Sequence, residues 1–390
     1  MLIILCTVVI LSTIFETFCK KTNFPTVLSL LILGVVIQLI FKYHDIDFEK
    51  QRVLEILGNV GIILIVLEAS LDLKVSSEKK SLIIKSFLIA FISLGACLCL
   101  LSSIFRLFYQ NLCWVQCSLY ALPLSLVSSA IVIPSVHHIE ENKRDFLIYE
   151  STFSDILGIM AFYLLVNNLE VTTIYSVSIN IISNTLLTIV VSILCSIALF
   201  YIFHKMVHRH IQFSVFMAIL VSLYSIGKLF HLSSLLLILI YGILLSNHRF
   251  LVKRFNLPKN WVNPNLSDEL LFHFKLITDE GSFVIRTLFF VLFGMFLSFD
   301  NIFTYDNMVI SGAYILGIYS IHLILLKIFF VRDITPELYI APRGLISILL
   351  FFAIPAEYLI SEIDSGLLFI VIVFTSIVMG VGLMTYTNKR

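Results

Sequence analysis

Ser128-Ser129-Ala130-Ile131-Val132-Ile133-Pro134, and later Pro342-Arg343-Gly344 between Pro336 and Pro355, interrupt two otherwise apolar runs at 112–138 and 335–358. Proline removes a backbone donor and disrupts the helical ladder. In hydrocarbon every freed backbone group needs a protein or water partner, so a broken helix is tolerated only where it is buried in protein or lines a polar cavity. Two such interruptions in comparable halves of one chain predict a pair of discontinuous helices meeting near the middle of a membrane protein.

The rest of the chain supports that frame. Of its 390 residues, 59% are hydrophobic and only 13% are charged, against about 25% charged in an ordinary soluble domain. Mean hydropathy is +1.03. Apolar runs fall near 1–18, 25–41, 53–73, 82–105, 112–138, 146–167, 176–203, 211–229, 232–247, 281–299, 307–330, 335–358 and 366–386. At about 20 residues per crossing this gives about thirteen transmembrane helices and no soluble domain. The first run, followed by Lys20 and Lys21, reads as a retained helix and not as a cleaved leader. With the N-terminus outside, most of the 26 Lys and Arg residues fall in inside loops or the C-terminal tail, which predicts an N-out, C-in topology.

The fold class expected is therefore an all-α polytopic membrane protein forming a single transporter domain over 1–390. Its two inverted repeats occupy about 1–167 and 211–386, with a linker helix at about 176–203, and each broken helix is the fifth member of its repeat. In the connection 247–280, Ser267-Asp268-Glu269 reads as the cap of a separate amphipathic surface helix. A net charge of +1 suggests no nucleic-acid partner; the lipid bilayer is the partner the composition implies.

An ionisable group costs several kcal/mol in hydrocarbon, so the few that lie in the spans mark the candidate site. In Glu150-Ser151-Thr152-Phe153-Ser154-Asp155-Ile156-Leu157-Gly158, residues Ser151, Asp155 and Gly158 share one helical face. A carboxylate, a hydroxyl and carbonyls freed at a break, near Ser128 and Ser129, form the oxygen-rich set a hard cation such as Na⁺ prefers. Na⁺ is placed at Asp155 and Ser151. One carboxylate that holds either a proton or a cation couples the two fluxes by competition. Glu68, in Leu67-Glu68-Ala69-Ser70-Leu71 near one end of its helix, either faces the ion path as a further candidate ligand or reaches interfacial water. Glu150 and Arg343 are expected to form a structural ion pair, since a buried cation needs a partner. Ser154 and Arg286 are secondary candidates; Arg286 either points inward or snorkels to the interface.

His204, His208 and His210 read as solvated loop residues, and His322 as a satisfied interhelical donor outside the site. The seven cysteines lie mostly in apolar runs and form no zinc-like pair. No nucleophile motif, phosphate loop or metal cluster points to an enzyme, and no cofactor is expected.

The run Glu150-Ser151-Thr152-Phe153-Ser154-Asp155 resembles the Glu-Ser-x-x-Asn-Asp motif of the monovalent cation:proton antiporters, in their electroneutral NhaP-like sodium/proton exchanger branch. Leu67-Glu68-Ala69-Ser70-Leu71 resembles that branch's acidic motif, Arg343-Gly344 its Arg-Gly, and Tyr241-Gly242-Ile243-Leu244-Leu245-Ser246-Asn247 and Phe289-Phe290-Val291-Leu292-Phe293-Gly294 its apolar segments. The resemblance spans nearly the whole chain. It implies the sodium/proton antiporter fold, a homodimer in a bacterial inner membrane and elevator-like alternating access. It also implies cation ligands at Asp155, Ser151 and Glu68, and a pair at Glu150 and Arg343. The chain departs from the pattern at Ser154, where relatives carry Asn or Asp, and at Ser128 to Ser135, where many carry Thr-Asp-Pro. A single aspartate suggests one-for-one, electroneutral exchange of Na⁺ or Li⁺ for H⁺. K⁺/H⁺ exchange is the competing selectivity, and a channel or non-transporting ion sensor the competing class.

Overall fold

The computed structural model describes residues 26–43, 50–73, 79–136, 138–167, 234–249, 264–295, 304–330, 334–360 and 365–387, with scattered positions elsewhere. Most of the expected first helix, most of the linker helix at 176–203, most of the run at 211–229, and His204, His208 and His210 lie outside the described residues.

The described residues are helical, without strands. The helices are α1 (Thr26–Tyr43), α2 (Lys50–Asp72), α3 (Lys80–Phe108), α4 (Trp114–Leu124), α5 (Ser129–Ser135), α6 (Glu141–Asn167), α7 (Ser234–Ser246), α8 (Pro264–Met295), α9 (Tyr305–Phe329), α10 (Leu345–Phe352) and α11 (Ser365–Thr387). Single 3₁₀ turns, Glu337–Tyr339 and Ala356–Tyr358, flank α10. Among the described residues, five segments are long and apolar enough to cross a membrane: Lys80–Phe108, Trp114–Ser135, Glu141–Val166, Asn307–Phe329 and Gly366–Tyr386. The 29 residues of α3 rise roughly 44 Å at about 1.5 Å each, more than the hydrocarbon thickness.

The separate surface helix expected before residue 281 is absent: Pro264 to Met295 form one continuous helix of 32 residues. Pro264 stands at its first position, where a missing N–H costs nothing. Gly281 is the sole glycine before Gly294 and no further proline follows within the helix; a lone glycine costs only about 1 kcal/mol.

The chain divides into two compact units. The first comprises residues 1–59, 81–162 and 284–390 and contains both broken segments. Here α9 packs against α11, and α10 against α4. Aromatic edges fill the core, with Phe105 against Tyr314 and Tyr120 against Phe351. Some hydroxyls close onto carbonyls one turn back, as Ser125 does to Ala121 at 2.8 Å and Thr375 to Val371 at 2.7 Å, which satisfies those donors in apolar surroundings.

The second unit, residues 60–80 and 163–283, joins the end of α2 to α7 and the first part of α8. Ser246 Oγ donates to the Leu71 carbonyl at 2.7 Å and Asn247 Nδ2 to the Leu73 carbonyl at 2.7 Å. Lys275 pairs with Asp72.

Candidate ion site

The interrupted span at 112–138 forms two half-helices, α4 and α5, separated by residues 125–128. The break does not fall at Pro134, which lies inside the short α5 near its end. The backbone of the second interrupted segment decides its place: Ser128 N–H donates to the Pro342 carbonyl at 2.9 Å and so leaves the helical ladder. Residues 340–344 form the equivalent non-helical stretch ahead of α10. The two breaks cross so closely that a Cβ on Gly344 would stand 2.6 Å from Ser128 Oγ and 2.7 Å from Ile131 Cδ1.

Asp155 reaches this crossing from α6. Its Oδ2 accepts from the Ser129 backbone N–H at 2.8 Å and from Ser129 Oγ at 2.5 Å. Ser129 opens α5, so the carboxylate occupies the positive end of that half-helix. Ser154 Oγ accepts from the Val127 N–H at 2.9 Å and ties α6 to the break. Asp155 is 3% exposed, and its Oδ1 is buried without a hydrogen-bond partner. Ser128 Oγ and Thr152 Oγ1 are also buried without one.

Ser151 lies one turn before Asp155 on α6 and is buried, but its hydroxyl donates to the Leu147 carbonyl at 2.7 Å, with the Ile148 carbonyl at 3.2 Å. Its only donor is spent within its own helix. The structure brings Asp155 together with Ser129, which sequence reasoning had offered only as a backbone ligand. The adjacent Ser128-Ser129 pair was the available signal.

The direct ion pair expected between Glu150 and Arg343 is not formed. Arg343 Nε donates to the Leu124 carbonyl at 2.9 Å, and Nη1 donates to the Ala341 carbonyl at 2.6 Å. Leu124 ends α4, so the guanidinium covers the negative end of one half-helix while Asp155 sits at the positive end of the next. Carbonyls freed by the two breaks supply the acceptors an ion pair was expected to provide. Glu150 Oε1 instead faces His322 Nδ1 at 3.6 Å, and His322 Nε2 contacts the Glu337 carbonyl at 3.1 Å.

Arg286 takes the inward alternative: its Nη1 donates to the Ala130 carbonyl at 3.1 Å. Glu68, half-buried on α2, lies in the second unit, where its charge acts on Lys275. Among the described residues no group of three His, Cys, Asp or Glu could hold a metal ion.

Chemically, the crossing offers one anchored and one open carboxylate oxygen beside a buried hydroxyl, enclosed by apolar helices. It can hold a small cation or a proton.

Comparison with known proteins sets this geometry in context. The profile of the transmembrane sodium/hydrogen exchangers matches residues 6–389. A structure of the sodium proton antiporter MjNhaP1 from Methanocaldococcus jannaschii at pH 8 is similar with a TM-score of 0.73 and 20% identity, covering 97% of this chain and 94% of that one. An electron-microscopy structure of MjNhaP1 is similar with a TM-score of 0.67 and 18% identity, covering 98% of this chain and 91% of that one. At these identities the likeness speaks for the fold. No curated protein matches.

Proposed function

Because the chain belongs to the sodium/hydrogen exchanger family, and is thus a membrane transporter that exchanges cations for protons, we propose that it exchanges Na⁺ or Li⁺ for H⁺, one for one, at Asp155. The transported ions are substrates and the family uses no cofactor.

The open oxygen carries this reading. Asp155 Oδ2 is fixed by two donors from Ser129, while Oδ1 is buried with no partner. A buried, unsatisfied carboxylate oxygen costs several kcal/mol, and a proton or a cation removes that cost. The two cannot occupy it together. If the empty, charged carboxylate crosses poorly, each crossing carries one or the other, and exchange follows without a further coupling device. One aspartate then exchanges one charge for one charge.

The proposed cation ligands are Asp155 with the hydroxyls of Ser128 and Ser129; Glu68 is proposed as a ligand on its sequence motif alone. Ser151 supports them through a lone pair, its proton being engaged at Leu147. Discontinuous helices suit alternating access by movement of the broken-helix assembly as a body. The protein works as a homodimer in a bacterial inner membrane, N-terminus outside and C-terminus in the cytoplasm.

The test is dequenching of a pH dye in proteoliposomes carrying an imposed proton gradient, with Na⁺, Li⁺ or K⁺ added to wild type and to Asp155→Asn. Asn retains an oxygen to accept both Ser129 donors, so the variant is expected to fold and to lose exchange with every cation. A response to K⁺ alone would replace the selectivity with K⁺/H⁺ exchange. Undiminished exchange by the folded variant would remove Asp155 from the mechanism.

A further inference from the structure

Arg286 lies early in the apolar run at 281–299, and the exchange cycle proposed above gives it no part. A cation cannot ligate a cation, so Arg286 is no Na⁺ ligand. A guanidinium keeps its charge and offers only N–H donors, so its role is read from what it donates to. Its Nη1 donates to the Ala130 carbonyl at 3.1 Å.

The sequence explains why that carbonyl takes a donor from another helix. In an α-helix the carbonyl of one residue accepts from the N–H four residues on, which for Ala130 is position 134. Position 134 is proline, inside α5, and proline has no N–H to give. Ala130 is 6% exposed, so water is a poor substitute, and a buried carbonyl without a donor is costly. Arg286, on α8, fills the place with a charge-assisted bond, stronger than the neutral ladder bond it replaces.

α5 is the helix least able to lose such a bond. It has seven residues, a length at which the ladder alone does not sustain a helix. Ser128 N–H ties its start to the Pro342 carbonyl, and Ser135 Oγ closes its end onto the Ile131 carbonyl at 2.7 Å. Between these ties stands Ala130. The residue before it, Ser129, supplies both donors that fix Asp155 Oδ2. A tilt or fraying of α5 therefore displaces both donors together.

We propose that Arg286 is a positioning residue that supplies the ladder donor Pro134 lacks, and by splinting α5 keeps Ser129 aligned on Asp155. A proline inside a short buried helix and a cation in an apolar run are each unfavourable alone. Placed together, each offsets the other.

The test is a double-mutant cycle on the full chain in lipid, with Arg286→Met made alone and with Pro134→Ala, which returns the missing N–H. Half-saturating Na⁺ concentration is read from exchange in proteoliposomes, and this arm rests on the exchange reading; melting temperature in nanodiscs does not. Arg286→Met alone should raise the half-saturating Na⁺ concentration about tenfold, the low end for a hydrogen bond from a charged group, and lower the melting temperature. In the Pro134→Ala background the same change should shift the half-saturating concentration by less than about twofold, because the restored N–H takes the Ala130 carbonyl. Should Arg286→Met fail to fold, the double variant is expected to fold, and its failure as well would overturn the proposal. Equal effects of Arg286→Met in both backgrounds would also overturn it. So would a lower melting temperature with an unchanged half-saturating concentration, which would leave Arg286 no part in holding Ser129 on Asp155. Absence of exchange in wild type, with the melting-temperature loss recovered by Pro134→Ala, would sink the transport reading and leave the splint standing.

Discussion

The crossing of the two breaks is tested most directly by adding one methyl group. In Gly344→Ala the new Cβ would lie 2.6 Å from Ser128 Oγ, 2.7 Å from Ile131 Cδ1 and 3.0 Å from Ser128 Cβ. Ordinary contacts begin near about 3.4 Å, so one break must retreat from the other by roughly 0.8 Å, in an interior that overpacking strains by about 1 to 3 kcal/mol. Gly344 lies at φ −161°, an extended conformation that alanine adopts freely, so the whole effect is steric. The retreat also stretches the 2.9 Å bond from Ser128 N–H to the Pro342 carbonyl, worth about 1 kcal/mol net. The expected loss is about 2 to 4 kcal/mol. At about 2 °C per kcal/mol for a chain of this size, the melting temperature in lipid nanodiscs should fall by roughly 4 to 8 °C. Exchange in proteoliposomes should fall with it, because Ser129 and the Asp155 anchor adjoin the displaced residue. Adding Ser128→Ala, which removes the nearest colliding atom, should restore part of the loss. A Gly344→Ala protein as stable and as active as wild type would mean that the two breaks do not cross at this distance.

Two further outcomes follow from contacts in the first unit. Ser129→Ala removes the hydroxyl donor to Asp155 but keeps the backbone N–H; the half-saturating Na⁺ concentration should rise roughly tenfold to a hundredfold, the equivalent of one hydrogen bond to a charged group, and an unchanged value would show that the hydroxyl does not orient the carboxylate. Gly34 and Gly294 let α1 and α8 touch backbone to backbone, since a Cβ on Gly34 would lie 2.1 Å from the Val291 carbonyl oxygen. Gly34→Val should therefore reduce the yield of folded protein severely, by fluorescence-detected size exclusion, whereas Gly95→Val, with nothing within 4 Å of its Cβ, should not; equal yields would refute the close packing.

Much of the fold was legible because its determinants are local. The apolar run at 82–105 became α3 and that at 366–386 became α11, with ends shifted by only a few residues. The continuity of α8 was missed for the opposite reason: polar residues between 267 and 280 resemble a surface helix and its cap, and nothing local says that the same helix goes on into the apolar part. Prolines marked the broken spans but not the place of the first break. Pro134 lies within α5, whereas Ser128 breaks the ladder by bonding to a carbonyl from a remote segment.

The candidate site divides along the same line. The sequence by itself determined that the protein is a helical membrane protein with Asp155 among its rare intramembrane charges, because run length and the cost of burying charge are properties of neighbouring residues. Only the tertiary structure decided that Ser129 binds Asp155, that Arg343 covers the end of α4, and that His322 faces Glu150. These pairings depend on how each helix is rotated and where the two breaks cross, and packing between segments far apart in the chain sets both.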